Sequence, residues 1–353
     1  MRRTTQIAAR LLLVTVLIYA LSGCTRRPLE GVLGPETALI PIHIDWSKSG
    51  IPVEQMHRAS ILLFPEAGGE PLEYRLETSL TDNQIQVPVG VYSVIVFNET
   101  TDPTDWEFIN FTGKDSYQNF AAVALPVTES RGFYSRAEEP LIENPDPLAA
   151  WSLPRFEVTK ELLMRSRTRG TRSSTSRAEE LLDEAINSLS NIIPTPRIET
   201  ITITARVENL TSSMQATGIL DGMSTGVYMG SGERMSTTGA HAFILNGRVY
   251  DENGEDGTTT NTFNVFGRQY PTSHLDLHID FLLGDGTLFQ RQSFDATNMV
   301  TSIPGTTPPA DQIEVGYDER DPDSDDHEIV LPDMDMNAGI TVGEWDEVII
   351  PLM

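Results

Sequence analysis

The sequence predicts a mainly β protein built as two tandem sandwich domains with a short helical insertion between them. Three observations carry this. Alternating apolar and polar residues begin at 38 and continue in short runs to 126. The same pattern returns from 197, and only one stretch between the two has the spacing of a helix. Closely spaced strands separated by Gly, Pro, Asn and Asp turns are the signature of a sandwich. The chain has 353 residues, 39% of them hydrophobic, which is enough for two cores and too apolar for general disorder.

Residues 40–44 open the first domain, with Ile40, Ile42 and Ile44 alternating with Pro41 and His43 as in a half-buried strand. The run 59–64 (ASILLF) is a second strand, stopped by Pro65 and the Gly68-Gly69 turn. Short strands follow at 72–76 and 85–87. Residues 91–97 (VYSVIVF) are apolar nearly throughout, as expected of a central strand covered on both faces. Strands at 106–111 and 120–125 complete a first domain spanning 38–126.

From 127 to 196 the pattern breaks. Pro140, Pro145, Pro147 and Pro154 interrupt regular structure, and Arg165, Arg167, Arg169, Arg172 and Arg177 fall in a Ser/Thr-rich run that reads as a flexible loop. Such a loop is a natural place for a protease to cut, leaving two stable halves. A helix is expected over 177–190: Ser176 and Glu179 resemble a capping box, and Leu181, Leu182, Ala185, Ile186 and Leu189 make one apolar stripe before Pro194. The second domain, 197–353, then carries strands at 198–207, 216–220, 226–229, 241–249, 259–266, 275–283 and 287–294, with a hairpin at Gly284-Asp285-Gly286. A turn-rich acidic stretch at 305–335 precedes a last strand at 347–352.

The amino terminus reads as a targeting segment. Arg2, Arg3 and Arg10 precede a short apolar run at 11–21, the layout of a signal peptide over 1–23. It ends in Leu21-Ser22-Gly23-Cys24, and Cys24 is the only cysteine. These four residues resemble the bacterial lipobox, which implies cleavage before Cys24, a thioether-linked diacylglycerol on its sulfur and a third acyl chain on the new amine. Residues 24–37 are then a lipidated tether. Each buried methylene adds about 0.8 kcal/mol, so three chains exceed what stable anchoring needs. Cleavage removes three arginines and no acid, moving the net charge from −26 to −29. Such a balance argues against a nucleic-acid partner, which requires a basic stripe. A single cysteine also rules out a disulfide framework and a multi-thiolate zinc site.

Several short motifs together resemble the fimbrillin-like lipoproteins of type V pilus systems in Gram-negative anaerobes. They are Ile42-His43-Ile44-Asp45-Trp46; Leu63-Phe64-Pro65 with Gly69-Glu70-Pro71-Leu72; Pro88-Val89-Gly90-Val91-Tyr92 running to Phe97-Asn98; Asp221-Gly222-Met223 with Gly226-Val227-Tyr228; and Glu344-Trp345-Asp346-Glu347-Val348. The resemblance implies transthyretin-like sandwiches, an outer-membrane lipoprotein whose display at the cell surface is left open, and other fimbrillin-like subunits as partners. Stalk-type relatives mature by cleavage after an arginine in an N-terminal segment. Here only Arg26 and Arg27 precede the first strand, and a cut there would release the lipid, so an uncut anchor or accessory subunit is implied.

Pairing by β-strand addition would use the C-terminal segment, with Val348, Ile350 and Leu352 on one face and Ile349 on the other. The bland alternative is an ordinary central strand of the second domain. A surface lipoprotein that binds glycan or a host ligand through Trp106 and Trp151 is the competing functional class.

No catalytic constellation is present: there is no Gly-x-Ser-x-Gly elbow, phosphate loop or His-Glu-x-x-His, so an enzyme is not expected. No metal or cofactor beyond the lipid is expected either. His274, Asp276, His278 and Asp280 share one strand face and read as its solvated side rather than as zinc ligands. Asp321, Asp323, Asp325 and Asp326 begin like a calcium loop. An EF-hand, however, wants Gly and Glu where Asp326 and Pro332 stand, so the segment reads as a solvated loop, with an irregular calcium cage as the alternative.

Overall fold

The computed structural model describes residues 36–52, 55–56, 58–77, 83–99, 106–127, 139–161, 163, 189, 191–286, 292–316 and 329–332. They are mainly β, arranged in five sheets.

The first half is built on a five-stranded sheet of order β10-β9-β5-β2-β3. Its members are β2 (Arg58–Pro65), β3 (Leu72–Glu77), β5 (Gly90–Glu99), β9 (Ala149–Val158) and β10 (Thr195–Pro196). The strand expected to be covered on both sides, β5, is so covered, and its neighbour β2 is as well. Ile61, Leu63, Val94 and Val96 point into one core, and Leu62, Phe64, Ile95 and Phe97 into another. The first core is closed by a two-stranded sheet of β1 (Thr37–Ile42) and β4 (Asn83–Pro88), whose Ala38, Ile40, Ile42, Ile85 and Val87 are all buried. The second is closed by the sheet β13-β7-β6, formed by β6 (Ile109–Thr112), β7 (Ala121–Ala124) and β13 (Gly226–Tyr228). The first half therefore has three layers where the sequence expects two.

The second half is a sandwich. One sheet, β15-β16-β11-β20-β19, contains β11 (Glu199–Glu208), β15 (Gly247–Tyr250), β16 (Gly257–Val265), β19 (Thr301–Ile303) and β20 (Ala310–Gly316). The short β21 (Ile329–Val330) extends the parallel pairing along β11. The other sheet, β18-β17-β12-β14-β8, contains β8 (Leu141–Ile142), β12 (Ser213–Ser224), β14 (Thr238–Leu245), β17 (Asp276–Leu283) and β18 (Gln292–Asp295). Ile201, Ile203, Phe243, Phe263, Ile279 and Phe281 fill the space between them. The run expected as one strand at 241–249 divides at Asn246, where the chain leaves one sheet for the other.

Two features correct the sequence reading. The stretch 127–196, expected as a linker, supplies β8, β9 and β10. Pro154 is accommodated because β9 bulges opposite β5, between Tyr92 and Val94. The bulge also switches parity: Trp151 and Leu153 before it, and Phe156 and Val158 after it, pack on the same core. A strict period of two therefore hides this strand.

The second correction concerns independence. β8, which precedes the second half, adds in parallel to β14, and β13, which belongs to the second half, adds antiparallel to β7. Phe120, Val227, Met229, Ile198 and Phe266 lie in one continuous core across the junction. The halves exchange strands and are not beads on a string. Of the helix expected over 177–190, only Leu189 is among the described residues. It is fully buried, and its carbonyl accepts from the His43 amide at 3.3 Å.

Candidate functional site

Cys24, Val348, Ile349, Ile350 and Leu352, and Asp321, Asp323, Asp325 and Asp326, lie outside the described residues, as does the arginine run. What can be built from the described residues are the sheet edges and one cleft.

An edge strand exposes unpaired backbone groups and invites another strand unless charge, shortness or a bulge discourages it. β3 is guarded: Glu73, Arg75 and Glu77 point outward, tied by Arg58–Glu77 and Arg75–Glu73 ion pairs of 3.1 and 3.2 Å. β19 has three residues. β15 differs, because Val249 and Tyr250 are 64% and 45% exposed. Its one charged residue, Arg248, turns away from the edge to donate to the Ser213 carbonyl and, at 3.3 Å, to the Ser213 hydroxyl. Among the described residues, β15 pairs only with β16. Among the described residues nothing covers this edge, and it carries the exposed Val249 and Tyr250 side chains.

The cleft lies over the five-stranded sheet. It has a volume of about 450 Å³ and lies between the β2–β3 turn, the β9 bulge and the loop preceding β7. The turn is made by Gly68 and Gly69, both at positive φ (84° and 112°), where a Cβ would be strained. The bulge aims Arg155 at Glu66, 3.1 Å away, while Ser93 donates to the Pro154 carbonyl at 2.7 Å. Tyr117 enters from the loop, edge-on to Phe64 with centroids 6.0 Å apart, its hydroxyl donating to the Gly230 carbonyl at 3.3 Å.

The polar face of β17 is more buried than expected. His274 is exposed and pairs with Asp276 at 2.9 Å, but His278 is largely enclosed and Asp280 is buried. His278 Nε2 stands 3.5 Å from Asp221 Oδ2, and the Glu139 amide donates to Asp221 Oδ1 at 3.3 Å. Burial pushes the Asp221 carboxyl above the usual range, opposed by that amide and by His278. Among the described residues, no three His, Cys, Asp or Glu side chains converge so as to hold a metal. The two tryptophans proposed as ligand platforms are packing residues. Trp106 stands edge-on to Phe111 at 5.3 Å, and Trp151 lies against the first core.

Sequence reasoning missed both the edge and the cleft. The bulge that shapes the cleft breaks the period-two signal, and the β15 edge was merged into a longer strand. The Asn246-Gly247 pair was the available clue to the break.

A family model, DUF5119, described as a domain of unknown function, matches residues 23–243. The chain is 26% identical over 165 residues to a Bacteroides ovatus protein provisionally named fimbrium anchoring subunit Fim4B. That match covers 45% of this chain and 43% of the relative, so it spans less than half of either. Among solved structures, a provisionally named adhesin from Bacteroides ovatus superposes with a TM-score of 0.56 at 18% identity, covering 88% of this chain and 96% of its own. The fimbrial anchor protein Mfa2 from Porphyromonas gingivalis gives 0.42 at 10% identity, covering 79% and 90%.

Proposed function

The chain belongs to the DUF5119 family, and we propose that it is a lipid-anchored fimbrial subunit of the outer membrane, an anchor or accessory component that joins neighbouring subunits by β-strand addition. The Fim4B similarity supports the fibre role, and the fold shared with the Bacteroides ovatus adhesin is compatible with it. The lipobox at Cys24 supports the membrane attachment. In this reading the C-terminal segment around Val348, Ile349, Ile350 and Leu352 is the strand donated to a neighbour.

The observation that carries strand addition is the unguarded edge of β15. Backbone groups on such an edge supply affinity, and exposed Val249 and Tyr250 supply the apolar contact an incoming strand would cover. Val249→Lys places a charge on the edge without touching a core. The variant should melt like the parent while its recovery in fibre material sheared from cells falls severalfold. Undiminished recovery would remove β15 from the mechanism.

A further inference from the structure

We propose that the cleft between the β2–β3 turn, the β9 bulge and the 115–118 loop binds a neutral carbohydrate. Its volume of about 450 Å³ falls within the range of roughly 300–1,000 Å³ typical of small-ligand sites. Its chemistry narrows the class.

A peptide adding as a strand has nowhere to pair. β2 and β5 are interior strands hydrogen-bonded on both sides, and two backbone donors of the turn are already used: the Glu66 amide donates to the Val91 carbonyl at 2.8 Å and the Gly68 amide to the Pro65 carbonyl at 3.0 Å. An anion is disfavoured by charge. The cleft's cation, Arg155, is held by Glu66 at 3.1 Å and reaches Glu157 at 3.5 Å. Asp115 on the rim is exposed and makes no ion pair among the described residues. The whole chain carries a net −26, so an acidic ligand meets repulsion near and far.

What the cleft offers instead suits a polyol. The Asp115 carboxylate can accept from adjacent sugar hydroxyls in charge-assisted bonds. Gln118 and the Ser93 hydroxyl add polar contacts. Tyr117, half-buried against Phe64 and with its hydroxyl committed to the Gly230 carbonyl, adds only the part of its ring that lines the cleft. The Glu66–Arg155 pair presents both an acceptor and a donor at the opposite wall. These groups sit on a turn, a bulge and a loop fixed to a central sheet, so the cleft is shaped before a ligand arrives.

The test is an array of immobilised neutral, sialylated and sulfated glycans probed with the full lipoprotein in detergent, alongside Asp115→Asn and Tyr117→Ala. Signal on neutral glycans is expected, falling about tenfold or more in Asp115→Asn through loss of a charge-assisted bond. Tyr117→Ala should weaken it as well. Asp115 is exposed, so its variant should melt with the parent, and it keeps the test valid if Tyr117→Ala loosens the Phe64 contact. No signal on any neutral glycan, signal confined to sialylated or sulfated glycans, or signal unchanged in Asp115→Asn would each overturn the proposal. The cleft belongs to the first half and β15 to the second. Failure of this binding with fibre assembly intact, or the reverse, therefore separates the two readings.

Discussion

His241 on β14 is fully buried, near Phe263 at a ring-centroid distance of 6.0 Å, with Nδ1 3.0 Å from the Asn144 amide oxygen and Nε2 without a partner among the described residues. Burial lowers its pKa to about 3, so the folded protein holds it neutral while the unfolded chain titrates near 6.5. Below 6.5 the unfolded state binds the extra proton. Stability contributed by this residue is thus intact above pH 6.5 and lost as pH falls towards 3, at about 1.4 kcal/mol per pH unit. Denaturant titrations across that window should show the parent losing stability more steeply than His241→Leu, by up to this slope. A second residue-level test is steric. Gly218 on β12 lies under the Phe243 ring, so a Cβ there would collide with it. Gly218→Ala should destabilise by about 1–3 kcal/mol through overpacking, measurable as a lower denaturation midpoint. Gly254, at an open turn, has no such neighbour.

At the scale of elements, the 127–196 stretch shows what patterning can and cannot reveal. The run at 91–97 was legible as a doubly covered strand because Val94 and Val96 meet one core and Ile95 and Phe97 the other, whereas 59–64 was legible only as a strand. β9 was not, because Pro154 and a parity switch disguise it. β20 was not, because Ile313 and Val315 alternate for only a few residues inside an acidic stretch, although it pairs in parallel along β11 over Thr200–Arg206. The exchange of β8 and β13 is invisible to any local signal, since two- and three-residue strands acquire meaning only from distant partners. Nor could the cleft be read, as its walls come from three separated segments. The exchange has a consequence for proteolysis. Trypsin acting in the arginine run at 165–177 should nick the chain, and the two fragments should still elute together in native size-exclusion chromatography. Separation without denaturant would contradict the pairing of β8 with β14 and of β13 with β7.

For the whole molecule, the shared core around Phe120, Val227 and Phe266 couples the halves energetically. Fully burying a Val, Leu or Phe side chain contributes about 1.5–3 kcal/mol. Several such residues at the junction make unfolding one half without the other unfavourable. Calorimetry should therefore record one transition with matching calorimetric and van't Hoff enthalpies. An interlocked body is compatible with the proposed role of a subunit that joins a fibre to a membrane. Residues 311–353 hold 14 acids and one arginine, so under the proposed strand addition two such acidic bodies would repel by charge and pair through backbone and apolar contact. The decisive measurement is the fraction of lipidated chain recovered in high-molecular-mass fibre material when residues 348–353 are deleted. Strand donation predicts near-complete loss of recovery with an unchanged melting temperature. Full recovery, or collapse of the fold on deletion, would contradict it.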